Sequence, residues 1–336
     1  MKKVFSFTLA FMFAVIMVII GGKTVPLLSP MLSAEAQTSD KMIYLYRFDK
    51  SSLANANPKD LINRFLGTTD VSNAYRADDG TVYFSASDDL NTTLEHNSAT
   101  GELRFHRGMN RYLSDFVPKL PSQDEAVRQT QEFLKANELL PNNVGEIKLA
   151  HVGGLRAMNT IDGKQAGPVL DKLVTVSYSR VVDGLPVVGP GSKLVLDLGD
   201  QGEVVGLVRH WRELDKSTRK AIRGKALYTS KEALALAKRQ IAVEYGEKAS
   251  FKIRSSSRAY FDNNGSILQP VYVFETTIAL ADRKVKPFNY LCVIQGLKQS
   301  PEPLNLTVID KKAKGLIQTS AIGEKPPITS EKEISD

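Results

Sequence analysis

A single cysteine, Cys292, in 336 residues leaves no possibility of an intramolecular disulfide framework. It lies in the apolar run Tyr290–Ile294 and reads as a small buried hydrophobe, not as a nucleophile. Tryptophan also occurs once, at Trp211, and histidine four times, at His96, His106, His151 and His210. No His-Glu-x-x-His pair occurs, no Gly-x-Ser-x-Gly elbow, no phosphate-cradling glycine loop and no dinucleotide fingerprint. These absences remove the zinc-peptidase, serine-hydrolase, nucleotide-hydrolase and dinucleotide chemistries that carry short motifs. Long apolar runs are absent after residue 22, so no second membrane span is expected.

The one long apolar run, Val4 to Ile20, follows Lys2 and Lys3. A charged start and a hydrophobic core are the layout of a secretory signal, and Ala34-Glu35-Ala36 is a small-x-small cleavage pattern. Cutting after Ala36 leaves Gln37 first. The polar stretch Gly21–Ser33 is long for a cleaved signal, and Val4–Gly22 has about the length of a bilayer span, roughly 17–25 residues. Residues 1–36 are therefore read as a signal peptide or an N-terminal anchor. Either reading places the remainder outside the cytoplasm, secreted or at the cell surface. A chain of this size without disulfides or a lipid-attachment cysteine suits a bacterial surface or periplasm. The formal net charge is +7, with basic residues interspersed among acids as in Lys225–Lys248. The expectation is a solvated surface mildly attracted to anionic wall or lipid polymers. No basic stripe interleaved with aromatics stands out in the linear sequence, and nucleic acid is not expected as a partner.

Three stretches share one grammar, a short capped helix followed by strands around Gly/Asp/Asn turns. In residues 37–120, Asn57 and Pro58 open a helix with the apolar stripe Leu61, Ile62, Phe65 and Leu66, and Gly67 ends it. Thr81–Phe84, Thr92–His96 and Glu102–His106 follow as strands, the last two around the turn Asn97–Gly101. In residues 121–216, Ser122-Gln123-Asp124-Glu125 is a capping box. Val127, Thr130, Phe133 and Leu134 carry that helix to about Asn137, and strands are expected at Ile147–Leu155, Leu173–Val182, Leu185–Val188, Lys193–Leu198 and Glu203–Trp211. In residues 217–310, Thr229-Ser230-Lys231-Glu232 is another capping box, followed by strands at Phe251–Ile253, Ser257–Phe261, Val271–Ile278 and Phe288–Gln295. Boundaries are expected at Pro118–Pro121 and Asp215–Gly224. The Lys-, Ser-, Glu- and Pro-containing residues 311–336 read as a disordered tail.

The segment Val176-Ser177-Tyr178-Ser179-Arg180-Val181-Val182-Asp183-Gly184-Leu185-Pro186-Val187-Val188-Gly189-Pro190-Gly191-Ser192, continuing through Lys193–Asp197 to Gly202-Glu203-Val204, resembles the FTP and PepSY modules in propeptides of thermolysin-like secreted metalloproteases. A weaker likeness covers Tyr228–Ile278, with Ser230–Ala233 opening a helix and Gln269–Glu275 as a late strand. The resemblance implies an α+β fold of tandem small modules, each a helix packed on an antiparallel β-sheet in the PepSY/cystatin-like manner. It also implies a role in inhibiting or assisting a peptidase. The peptidase domain itself is absent. Without the family, the turn still has a physical reading: Gly184 supplies a positive φ and Pro186 stiffens the exit.

Other patterns have plain alternatives. His96 and His106 face each other across the first hairpin in the simplest pairing, but two ligands are too few for zinc. Asp197-x-x-Asp200-x-Gly202-Glu203 and Asp78-Asp79-Gly80 read as hairpin turns, not calcium loops. Ser192 has no base nearby in sequence. His210-Trp211-Arg212 combines residue types common at binding hot spots, though a tryptophan packed over the sheet is the simpler reading. Tyr272 and Phe274 read as core. No catalytic, cofactor-binding or metal residue is assigned, and no cofactor is expected. The expected function is that of an exported, non-catalytic binding protein acting on a peptidase or surface protein. The alternative is a membrane-anchored extracytoplasmic regulator of a sensor kinase or other signalling protein. A hydrolase with an unrecognised site and a wall-binding structural protein are further classes. Intact-mass analysis of the exported protein is expected to find Gln37 first. A chain that keeps Met1 and sediments with membranes contradicts cleavage and establishes the anchor.

Overall fold

The computed structural model describes residues 42–304, apart from residues 50–52, 55, 68–70, 88, 159, 162–163, 166 and 282–284. The expected leader and the expected disordered tail lie outside the described residues. The chain begins with β1 (Ile43–Phe48), helix α1 (Pro58–Leu66), and strands β2 (Val71–Arg76), β3 (Thr81–Ala86), β4 (Thr93–Asn97) and β5 (Leu103–His106). A one-turn helix α2 (Met109–Tyr112), helix α3 (Gln123–Ala136) and β6 (Ile147–Gly153) come next. Four two-residue strands follow: β7 (Arg156–Ala157), β8 (Thr160–Ile161), β9 (Lys164–Gln165) and β10 (Leu170–Asp171). The remainder is β11 (Val174–Val182), β12 (Leu185–Val188), β13 (Lys193–Leu198), β14 (Val204–His210), β15 (Leu214–Ile222), helix α4 (Ser230–Tyr245), β16 (Ser250–Phe261), β17 (Ile267–Ala279) and β18 (Phe288–Gln295).

The helices begin where their caps dictate. The Asn57 side chain accepts a hydrogen bond from Lys59 N at 3.0 Å, and Gly67 closes α1 in the left-handed conformation. At α4 both halves of the capping box are made between Thr229 and Glu232. At α3 only Ser122 caps, accepting from Glu125 N at 3.3 Å. The Glu125 carboxylate turns instead to Arg128 and Gln129, one helical turn onward, so the full box expected there is half formed. The stripe Leu61, Ile62, Phe65 and Leu66 of α1 and Ala126, Thr130 and Leu134 of α3 are buried against the sheet. They meet Leu94, Leu103 and Phe105 together with Val176, Tyr178, Leu194, Leu196 and Leu207. Helix α4 seals a second cluster with Ala233, Ala237 and Ile241 against Phe274, Ile278 and Cys292.

The protein is α+β, and fourteen strands form one mixed sheet in the order β15-β1-β17-β16-β12-β11-β13-β14-β5-β4-β3-β2, with β18 beside β17 and β6 beside β11. The expected tandem of separate sheets is not what the strands build. Strand β5 from the first stretch pairs antiparallel with β14 from the second. Strand β1 pairs with β15 and β17, and β12 runs parallel to β16. The expected linker Asp215–Gly224 is largely strand β15. A three- or four-stranded unit leaves its edge N–H and C=O groups unpaired, and pairing across the expected boundaries satisfies them. Residues 251–253 and 257–261, read as two strands, are one strand interrupted by an irregularity between Ile253 and Ser255.

The residues that carried the family resemblance form the joint between the helix α1/α3 half and the helix α4 half. Asp183 and Gly184, with φ of 53° and 78°, make the two-residue turn joining β11 to β12. Tyr46 Oη donates to Asp183 Oδ2, and Tyr260 Oη lies 3.4 Å from the same oxygen. Beyond β12, the loop Gly189–Ser192 lies directly on Asp262. A Cβ at Gly189 would come 2.3 Å from the Asp262 carbonyl oxygen, and one at Gly191 would come 2.3 Å from its carboxyl carbon. Gly189 also has φ of 111°, which other residues rarely adopt. Asp262 N donates to Val188 O at 2.9 Å, and Ser192 Oγ donates to Asp262 Oδ2 at 2.6 Å. Arg212 completes the joint with an ion pair of 3.0 Å to Asp262 Oδ1 and a stack of 3.9 Å on Phe48. Asp262 is 1% exposed, so removing it strands a guanidinium in a dry place. Asp262→Ala is expected to destabilise the protein by about 3–5 kcal/mol, read as a lowered urea midpoint. An unchanged midpoint contradicts the role given to this joint.

Candidate functional site

Antiparallel pairing sorts the large sheet into two faces, because successive side chains alternate. The rows His96–Leu103–Arg209–Leu194–Tyr178 and Phe84–Leu94–Phe105–Leu207–Leu196–Val176 lie under α1 and α3. The row between them, Tyr75–Tyr83–Glu95–Arg104–Val208–Val195–Ser177, takes the opposite face. Among the described residues no helix covers this face over β2–β5. Tyr75 is 65% exposed and Tyr83 38%, with their ring centroids 6.0 Å apart. Beside them lies a shallow depression of about 140 Å³, lined by Asp79, Tyr83, Glu95, Asn97, Glu102 and Arg104 among others.

Charge alternates across the depression. Arg104 lies 3.9 Å from Glu95, and its Nε donates to His210 Nε2 at 3.3 Å. His210 Nδ1 is 3.2 Å from Glu102 Oε1. Nε2 therefore accepts and Nδ1 carries the proton when the ring is neutral. Burial pushes the Glu102 carboxyl up, but His210, Arg212 and Arg104 outweigh it and hold Glu102 below the usual carboxylate range. The Tyr83 hydroxyl is raised by partial burial and by Glu95 and Asp79. Both tyrosines present ring surface and a hydroxyl to solvent, as contact residues do. The depression is shallow and solvent-open, which suits contact with a larger partner better than enclosure of a small molecule.

The histidines weighed as a metal pair do not meet. His106 pairs with Thr93 and His96 with Leu103, which puts the two rings on opposite faces. His96 is buried and its Nε2 contacts Leu53 O at 3.0 Å, while His151 is exposed on β6. Among the described residues no group of three or more His, Cys, Asp or Glu is placed to hold a metal ion. Asp197 accepts from Thr175 Oγ1 at 2.6 Å, and its carboxyl is raised by burial. Asp200 accepts from Lys119 N at 2.7 Å, and Glu203 pairs with Arg107 at 4.0 Å. That run is a hairpin turn whose carboxylates go separate ways. Asp79 is likewise a turn residue, accepting from Thr81 N at 2.9 Å. Ser192 and Arg212 belong to the joint. Trp211 is buried in the core with the Arg180 guanidinium 4.8 Å over its ring, which is the packing reading and not a surface hot spot. Cys292 is fully buried, and burial pushes its thiol up to about 12.

The exposed tyrosines, Glu95, Glu102 and Arg104 carry no sequence motif. The one available signal was Tyr75 preceding the Asp78-Asp79-Gly80 turn with Tyr83 following it, an arrangement that places two aromatics on one face of a hairpin. No known protein family matches this chain, and no curated protein does. Among solved structures, an uncharacterized protein from Eubacterium rectale ATCC 33656 aligns over 79% of this chain and 87% of its own at 10% identity, with a TM-score of 0.42.

His96 gives the site region a pH signature. Burial lowers its folded-state pKa below the ordinary value of 6.5. The unfolded chain then binds more protons between that depressed value and about 6.5, so stability rises with pH through the window and falls on acidification. Urea midpoints measured from pH 7.5 down to pH 5 are expected to drop more for the native protein than for His96→Gln. Parallel curves contradict a buried neutral His96.

Proposed function

We propose that the protein is an exported, non-catalytic binding protein that engages a peptidase or a similar surface protein through the uncovered face and edge of β2–β5. The observation that carries this reading is the exposed Tyr75–Tyr83 pair, seated on a sheet face that no helix covers among the described residues. Strand β2 adds to it. It ends the large sheet and, among the described residues, pairs only with β3. An extended segment of a partner laid along β2 gains main-chain hydrogen bonds, while the neighbouring tyrosines and the alternating charges of Glu95, Arg104 and Glu102 select its side chains.

The resemblance to propeptide modules supports the choice of partner. Helix α3 over β11, β13 and β14, and helix α4 over β16–β18, are each a helix on an antiparallel meander. We read them as PepSY-like units merged by strand sharing, with the peptidase supplied by another chain. In that reading the joint residues Asp183–Ser192 serve assembly, and recognition falls to the open face of the first four hairpin strands.

The experiment is inhibition or binding assayed with peptidases exported by the same cells. The native protein is expected to bind or slow at least one of them. Tyr75→Ala/Tyr83→Ala is expected to weaken that effect by 2 kcal/mol or more, about 30-fold, with an unchanged urea midpoint. Failure to bind or slow any co-exported peptidase contradicts the proposal. An effect that survives the double substitution contradicts the site.

A further inference from the structure

The opposite end of the large sheet carries a different surface. Strand β15 is the terminal strand there, pairing on one side with β1 and, among the described residues, with nothing on the other. From Lys216 to Lys225 the chain holds Lys216, Arg219, Lys220, Arg223 and Lys225 and no acidic residue. All five are exposed. Lys216 is taken up by Glu146, whose Oε1 lies 2.8 Å from its Nζ. Lys220, Arg223 and Lys225 have no carboxylate partner among the described residues, and Arg47 on β1 adds another exposed cation. The single acid at the head of the run, Asp215, is turned onto its own chain by Ser217 and Thr218, whose N–H and hydroxyl groups it accepts. These bonds hold its carboxyl down at about 2 and occupy it locally.

Lysines on a free edge are a common guard against edge-to-edge pairing. This strand has more than a guard. Arg219 stacks its guanidinium 4.5 Å over the Tyr44 ring of β1, so one cation is held in place against an aromatic platform. The register between β1 and β15 also slips between Leu45, paired with Lys220, and Arg47, paired with Asp215, so residues 216–219 stand opposite a single residue of β1. The linear sequence hides the combination because Tyr44 and Arg219 lie far apart in the chain.

We propose that the β15 edge and the turn that follows it, with Arg47 and Tyr44 of β1, bind a linear phosphodiester polymer along its backbone. Lys216, Arg219 and Lys220 lie on β15, and Arg223 and Lys225 in the short turn that follows it, so the cations succeed one another along a single stretch of chain, as the phosphates of a linear polymer do. The strand exposes no large apolar side chain to enter a lipid headgroup layer. Binding of this kind is driven by counterion release and reads no sequence. It is independent of the protein-docking face on β2–β5, which lies at the other end of the strand order.

The test uses the full exported chain and three probes: fluorescent linear poly(glycerol phosphate), a single-stranded oligonucleotide of matched charge, and vesicles of phosphatidylglycerol. The expected result is binding to poly(glycerol phosphate) at least as tight as to the oligonucleotide, with little binding to vesicles. Its affinity is expected to fall with salt at a log–log slope of about −3, near −0.7 for each of four neutralised phosphates. Lys220→Gln/Arg223→Gln/Lys225→Gln is expected to lose tenfold or more and to flatten the slope by about 2. The exposed control Lys231→Gln/Lys238→Gln/Lys248→Gln, with the same change in net charge, is expected to keep the native affinity. Equal losses in the two triple variants, preference for vesicles or for the oligonucleotide, or no binding of poly(glycerol phosphate) at low salt overturns the proposal.

Discussion

The fold depends on how closely two stretches of backbone approach at Asp262. The carbonyl and carboxyl of Asp262 fill the space where side chains at residues 189 and 191 would stand, and only glycine leaves that space open. The contact sets β12 alongside β16 in parallel register, Val187 against Tyr260 and Val188 against Phe261. From that pairing follows the continuity of a sheet that would otherwise end as two. Tyr46, Val182, Val187, Tyr260 and Leu268 pack as a small core directly at this seam. Arg212 then ties the end of β14 to the Asp262 turn, and Phe48 of β1 lies under its guanidinium.

Charge is used inside this protein as well as on it. Arg180 is buried with Glu146, its NH2 and Nε at 2.6 and 2.7 Å from one carboxylate oxygen, while Asn143 and Lys216 hold the other. Burial alone would raise the Glu146 carboxyl, but the Arg180 and Lys216 cations overcome it and hold it low. Arg209, in the row under the helices, donates to Leu139 O and Trp211 O, and burial lowers its guanidinium to about 10. Such groups add little net stability compared with an apolar core, yet each tolerates only one arrangement of its neighbours. They hold the helix-covered face of the sheet in one register. The opposite face is thereby fixed in register too, and its tyrosines and charges stand in a rigid array, as recognition requires.

Much of the local structure was legible in the sequence. The caps at Asn57, Ser122 and Thr229, the turns at Asp183-Gly184 and Asp262–Gly265, and strands such as Lys193–Leu198 and Phe288–Gln295 follow from turn chemistry and two-residue alternation. The two-residue strands β7–β10 were not, nor were three longer ones. Ile43–Phe48 is a single short run with no turn signal leading into it, Val71–Arg76 has a weak apolar pattern, and Leu214–Ile222 is too polar to look like anything but a linker. Two of them, β2 and β15, are edges, where one side of the strand faces water and hydrophobic alternation is not demanded. Of the three, β1 and β15 pair across the expected boundaries, while the joins β5–β14 and β12–β16 are made by strands whose existence was legible but whose partners no local pattern specifies, which is why one sheet read as three. The candidate surfaces were illegible for the same reason. Tyr75 and Tyr83, like Tyr44 and Arg219, become neighbours only through strand pairing.

The central claim is that the two helix-backed halves are one cooperative body, fused through β12–β16 and β1. Scanning calorimetry of the protein tests it most directly. The account predicts a single transition whose calorimetric and van't Hoff enthalpies agree. Two resolved transitions, one for each helix-backed half, would show that the seam is a contact between independent domains and would contradict it.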